Sequence, residues 1–151
     1  MGCWGITALE SDDGLDAVGC IRYNLPKNGQ LDLGEMLERL KKDQWTAPRD
    51  VKLGCSHTSP MALAEIIVKY LDGDPGSPDY DEEWAAKENK FRSITSFTAS
   101  RSSLLELRDY LADTLKYARI RAKQQIKAGE LPGGWFDPKD WDRWQEHMEC
   151  L

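Results

Sequence analysis

The sequence predicts a mainly α protein, a compact single-domain bundle of five or six helices with at most one or two short strands. Three observations predict this fold class. Apolar residues recur at helical spacing in several segments, helix-capping residues stand just before those segments, and only one short segment alternates as a strand does. The chain has 151 residues, 40% of them apolar, so we treat residues 1–151 as one globular domain.

The first helix is predicted to begin after an apolar opening segment. We expect that segment to form a buried arm or a short strand, with Trp4 packed on the core. Ser11 is a good N-cap, and Asp12 and Asp13 place negative charge in the first turn, where the helix dipole favours it. This helix should stop before Pro26.

Two further helices follow from cap and proline signals. Asp32 is the expected cap of an amphipathic helix over 33–43. Ser59 then acts as cap with Pro60 at the first helical position, where the missing N–H is not needed. Residues 61–71 are apolar on most faces, so this helix should lie at the centre of the domain.

A long helix is predicted in the second half of the chain. Residues 91–97 alternate and could form one short strand or an extended run. Ser100 or Ser102 then caps a helix over about 103–127, whose leucines and alanines keep the helical period for about five turns.

The last helix carries a stripe of large side chains. Asp137 and Pro138 repeat the cap-then-proline signal, and Trp141, Trp144 and Met148 then share one face. Tryptophan is both a heavy core residue and a residue enriched at binding hot spots. A stripe at helical spacing favours the core, but the sequence leaves open whether this face is core or interface.

An acidic loop over 72–83 separates the central helix from a short helical piece expected over 82–89. Asp72, Asp74 and Glu83 match three places of a calcium loop, but the turn glycine of that motif is missing. A solvated connection is the favoured interpretation, and cation binding stays the alternative.

Charge and cysteine content narrow the class of protein. The formal net charge is −6, which disfavours nucleic acid as a partner. The exception is the end of the long helix, a basic stretch without acidic residues that could bind nucleic acid or an acidic protein. Its basic residues are Lys116, Arg119, Arg121, Lys123 and Lys127.

The cysteines and the lack of long apolar segments predict the location. Four cysteines without a CxxC pair predict reduced thiols, and no apolar segment predicts a leader or a membrane span, so we expect a cytoplasmic protein.

No residue pattern predicts catalysis, a cofactor or a metal. His57 follows Cys55 by two residues, yet the orienting group and oxyanion site of a nucleophilic enzyme are missing, so we expect local hydrogen bonds for His57. His147 stands in a last helical turn, where the dipole explains it. The acidic cluster at the first helix, which includes Asp16, is explained by capping and the dipole. The alternative is a metal-assisted hydrolase that uses the acidic clusters or His57.

The opening of the chain resembles a known group of proteins. Met1-Gly2-Cys3-Trp4-Gly5, followed by Asp12-Asp13-Gly14-Leu15-Asp16, is similar to a bacterial domain-of-unknown-function family of small proteins that begin Met-Gly-x-Trp-Gly and continue with an Asp-Asp-x-Leu-Asp helix start. The resemblance implies a bacterial cytosolic protein and carries no activity with it. It also implies that Trp4 and the acidic helix start belong to the fold signature.

These observations favour a small acidic cytosolic protein-interaction module, with a regulatory or toxin-neutralising accessory role. We expect a protein partner, no membrane and no nucleic acid, while the sequence leaves the oligomeric state open. The residues singled out as an interaction or structural signature are Trp4, Asp12, Asp13, Asp16, His57, Trp141 and Trp144.

Overall fold

The computed structural model describes residues 2–79, 90–134 and 136–151. The predicted mainly α fold class is confirmed, and the predicted helical piece over 82–89 lies outside the described residues. Within the described residues the elements are, in chain order, α1 (Asp12–Tyr23), β1 (Gln30–Asp32), α2 (Leu33–Lys42), α3 (Ser59–Leu71), β2 (Ser96–Thr98), α4 (Arg101–Lys127) and α5 (Trp141–Cys150).

Side-chain caps start three of these helices where the sequence predicts them. The Ser11 hydroxyl accepts from the Gly14 N–H at 3.0 Å at the start of α1. Asp32 caps α2 and Ser100 caps α4 in the same way. The prediction for α3 is wrong by one residue, because Ser59 is already helical and the cap position falls on Thr58, whose side chain makes no capping bond.

The segment 91–97 is not one continuous strand. It forms a 3-10 turn over Phe91–Ser93 and then β2, which pairs in parallel with β1 so that Leu31 faces Phe97. The turn forms because the Asp79 carboxylate accepts the backbone N–H of Phe91 at 2.7 Å while the Phe91 ring is fully buried.

The central helix is α3, as predicted. All residues from Ser59 to Ile67 are buried, and α1 and α4 both pack against it. Every α-helix contributes side chains to one contiguous cluster of buried residues. Burying a run of nine residues on all faces also buries Glu65, and this carboxylate organises the site described next.

Candidate functional site

The buried carboxylate of Glu65 joins both ends of the chain to α3. Its side chain is only 4% exposed and accepts the backbone N–H of Ala8 at 2.9 Å and of Leu9 at 3.3 Å. The Nε2 atom of His147 on α5 lies 2.6 Å from the same carboxylate. A buried carboxylate needs such partners, because an unpaired charge in the interior is strongly destabilising.

His147 therefore has a role that the sequence did not predict. His147 lies in the last turn of α5, as expected, but its ring also reaches Glu65 across 82 positions of sequence. The sequence did not indicate a role for Glu65, because it is a single acidic residue in an apolar segment and no nearby residue marks a partner for it.

The N-terminal arm is held by its backbone, and the expected packing of Trp4 on the core is wrong. The Trp4 side chain is 59% exposed. The backbone N–H of Trp4 donates to the carbonyl of Glu10 at 3.0 Å, and the backbone N–H of Asp12 donates to the carbonyl of Gly2 at 3.0 Å. In this arm Ala8 is the residue that is fully buried against the core, and the Trp4 ring lies at the surface.

His57 lies beneath this arm and contacts it directly. The Nδ1 atom of His57 is 3.1 Å from the Ser56 hydroxyl, and the Cys3 Sγ lies 3.8 Å from Nδ1 and 3.7 Å from Nε2. The ring also hydrogen-bonds the backbone at Gly5 and Ile6. His57 thus makes the expected local bond and, in addition, packs against a segment more than 50 residues away.

The electrostatics of the Cys3–His57 contact favour two neutral groups. Burial lowers the pKa of His57, and this effect is larger than the raising effect of its backbone hydrogen bonds. Burial also raises the pKa of the Cys3 thiol. A reactive cysteine needs the opposite shift, toward the thiolate. The cavity beside the pair has a volume of about 10 Å³, which is room for one water molecule.

The acidic residues at the start of α1 are separated by their partners. Asp12 accepts the Gly2 N–H at 2.5 Å, and Asp13 forms an ion pair with Arg49 at 2.9 Å. Asp16, one turn further along α1, lines a groove instead. Within the described ranges, no three His, Cys, Asp or Glu side chains come together as a metal site would require.

The acidic loop is described only in part. Asp79 accepts from the backbone of Phe91 and Arg92 and forms an ion pair with Arg92 at 3.0 Å, so this carboxylate has a structural role. Glu83, the twelfth position of the hypothetical calcium loop, lies outside the described residues.

The tryptophans of α5 form an aromatic stack with Phe136. Trp144 is fully buried, and its ring stacks on Trp141 at 5.6 Å and on Phe136 at 5.5 Å between centroids. The Trp144 indole N–H donates to the carbonyl of Ser56 at 3.0 Å, beside His57. Trp144 therefore belongs to the core, and Trp141 packs against it half-buried.

A groove between α1 and α2 has a volume of about 590 Å³. Two aromatic side chains line it, Tyr23 at 82% exposed and Trp45 at 81% exposed. We call it the α1–α2 groove. Its other lining residues are Asp16, Cys20, Asn24, Arg39, Lys42, Asp43 and Thr46. Tyr23, Arg39 and Trp45 could not be singled out from the sequence, because single aromatic and basic residues in or just after a last helical turn carry no periodic signal.

Local hydrogen bonds hold both walls of the groove. Asp43 Oδ1 accepts the backbone N–H of Trp45 at 2.9 Å and of Thr46 at 2.8 Å, which fixes a tight turn after α2. Thr46 points inward and is buried, so the turn presents Trp45 to solvent. A bond between the two walls joins Arg39 of α2 to the end of α1, where Arg39 donates to the Asn24 side chain at 3.2 Å, just after Tyr23.

Among the described residues, no helix has the length and apolar content that crossing a membrane requires. The four cysteines are free thiols. We found no family model, no curated protein and no solved structure that matches the chain.

Proposed function

We propose that this chain is a protein-interaction module and that the α1–α2 groove receives its partner. The observation that carries the proposal is the exposure of two large aromatic side chains, Tyr23 and Trp45, on the same groove. Tyrosine, tryptophan and arginine are the residue types most enriched among binding hot spots, and Arg39 lies in the same groove.

The exposed Trp45 side chain can contribute substantially to the free energy of binding. Burying a Trp side chain removes roughly 150–250 Å² of surface, and burial contributes about 25 cal/mol per Å² of apolar area. Covering the exposed four-fifths of Trp45 would therefore contribute about 3–5 kcal/mol before the costs of association. The turn at Asp43 already holds the Trp45 backbone in place, which reduces the entropy lost on binding.

The overall charge supports a basic partner protein for the regulatory or toxin-neutralising accessory role that we propose in a bacterial cytoplasm. A net charge of −6 accelerates association with basic surfaces and makes that association sensitive to salt. The groove supplies the specific contacts, since its lining carries two acidic and two basic residues: Asp16, Asp43, Arg39 and Lys42.

The alternative, a metal-assisted hydrolase, has no supporting observation in the described part of the chain. Asp12 and Asp13 of α1 have separate partners, and His57 faces a cavity with room for one water.

The test is a pull-down from lysate of the source organism at low and moderate salt, read by mass spectrometry. The baits are the wild-type chain, Trp45→Ala, Tyr23→Ala and the control Leu71→Ala, which removes an exposed apolar side chain that does not line the groove. We expect one stoichiometric partner, lost with Trp45→Ala and Tyr23→Ala and retained with Leu71→Ala. A partner retained by all four baits would contradict the groove, and no partner on the wild-type bait would contradict the function.

A further inference from the structure

The C-terminal half of α4 concentrates positive charge on an otherwise acidic protein. Residues 114–129 contain five basic residues and no acidic one. The rest of the chain holds fifteen basic and twenty-six acidic residues, so this segment differs sharply from its surroundings.

Two of the five cations have partners in the fold. Arg119 donates to Gln145 at 2.7 Å and to Glu149 on α5 at 2.5 Å. Arg121 donates to the carbonyl of Leu53 at 3.2 Å. These two arginines fix α4 against its neighbours and leave three lysines for other contacts.

Lys116, Lys123 and Lys127 are exposed and form no ion pair with any carboxylate of the described residues. Lys116 lies over the ring of its neighbour Tyr117. Together with the exposed Ile120 they follow a spacing of four, three and four residues, which places all four side chains on one face of the helix. We call this set the basic face of α4.

The helix dipole does not explain the basic face. Its effect on charged side chains falls off within the last turn of a helix. Only Lys127 lies in the last turn of α4, and Lys116 is three turns earlier. The dipole also cannot account for the exposed, uncharged side chains of Ile126 and Leu131 nearby.

We propose that the basic face of α4 binds an acidic helical segment of a partner protein. Lys116 and Lys127 are separated by eleven residues, or about 16 Å along the helix axis. A partner helix with carboxylates at the same spacing can pair with all three lysines and bury Ile120 between them. This surface does not include the α1–α2 groove, so the inference does not depend on the proposed function.

Two observations favour an acidic helix over nucleic acid. Ile120, Ile126 and Leu131 gain from contact with apolar side chains and gain nothing from a phosphate backbone. A long polyanion would extend beyond the basic face and be repelled by the acidic remainder of the surface. A short helix contacts only the basic face, and charges further than about 8 Å away are screened at physiological salt.

The probe is a fluorescein-labelled, alanine-based helical peptide of eighteen residues with three Glu and one Leu on one face, followed by fluorescence anisotropy. We expect saturable binding that weakens between about 50 and 200 mM salt. Lys123→Glu should raise the Kd about fivefold, because it replaces an attraction by a repulsion. Lys27→Glu is the matched control, since it reverses an exposed lysine outside α4.

A second peptide and a nucleic acid of the same length complete the test. The peptide with Gln in place of Glu should bind at least about fivefold more weakly, and Ile120→Ala should weaken only the peptide complexes. Circular dichroism checks that each variant is folded. Three results would overturn the proposal: no saturable peptide binding below about 1 mM, equal affinity of Lys123→Glu and wild type, or tighter binding of an eighteen-nucleotide single-stranded DNA than of the Glu peptide.

Discussion

Replacing Glu65 by alanine is expected to release both chain ends from α3. The substitution removes the acceptor of three hydrogen bonds, from Ala8, Leu9 and His147. Removing one partner of a buried, hydrogen-bonded pair costs about 3–5 kcal/mol. Ala8 is fully buried, so its N–H cannot turn to bulk water. Since domains of this size unfold with roughly 5–15 kcal/mol, Glu65→Ala should lose a large part of the stability.

Urea unfolding followed by circular dichroism measures this effect. With a slope of roughly 1–3 kcal/mol per molar urea, the expected loss shifts the midpoint by about 2 M. Glu65→Gln is the matched control, because it keeps the shape and one acceptor oxygen and should lose less than Glu65→Ala. A shift below about 0.5 M for Glu65→Ala would refute the reasoning, because Glu65 would then contribute no more than one surface contact.

Three further outcomes can be measured on the isolated chain. Gly14→Ala should lower the urea midpoint markedly, because the added Cβ would overlap the carbonyl oxygen of Ala8; an unchanged midpoint would contradict the close approach of arm and helix. Dithionitrobenzoate should label the exposed Cys150 much faster than Cys3, whose thiol pKa is raised by burial, and equal rates would be the wrong result. The imidazole of His57 should titrate below pH 6.5 by NMR, because burial lowers its pKa. The contribution of the neutral ring to stability is therefore present above pH 6.5 and is lost as the pH falls through the folded pKa. A titration above pH 6.5 would contradict this prediction.

The sequence predicted those parts of the fold that depend on local chemistry. The caps Ser11 and Asp32 and the all-round burial of α3 follow from side chains acting on their own segment. The errors concern competition between segments. Trp4 was expected in the core, but Ala8 occupies the position against α3 and the arm is held by backbone bonds.

The candidate sites were less predictable, because they depend on contacts across the fold. Glu65 and His147 are 82 residues apart, and neither has a neighbour in sequence that indicates the pair. Tyr23 ends α1 and Trp45 follows α2, so both line one groove only when α1 packs on α2. The basic end of α4 was visible in sequence, but its division into two engaged arginines and three exposed lysines required the structure.

The most direct test of the proposed interaction is the alkylation rate of Cys20, which lines the α1–α2 groove, with and without the captured partner. Iodoacetamide labelling is followed by mass spectrometry, with the exposed Cys150 as internal control. The account expects Cys20 to be strongly protected in the complex while Cys150 labels at its free rate. Labelling of Cys20 at the same rate in the free protein and in the complex would contradict it.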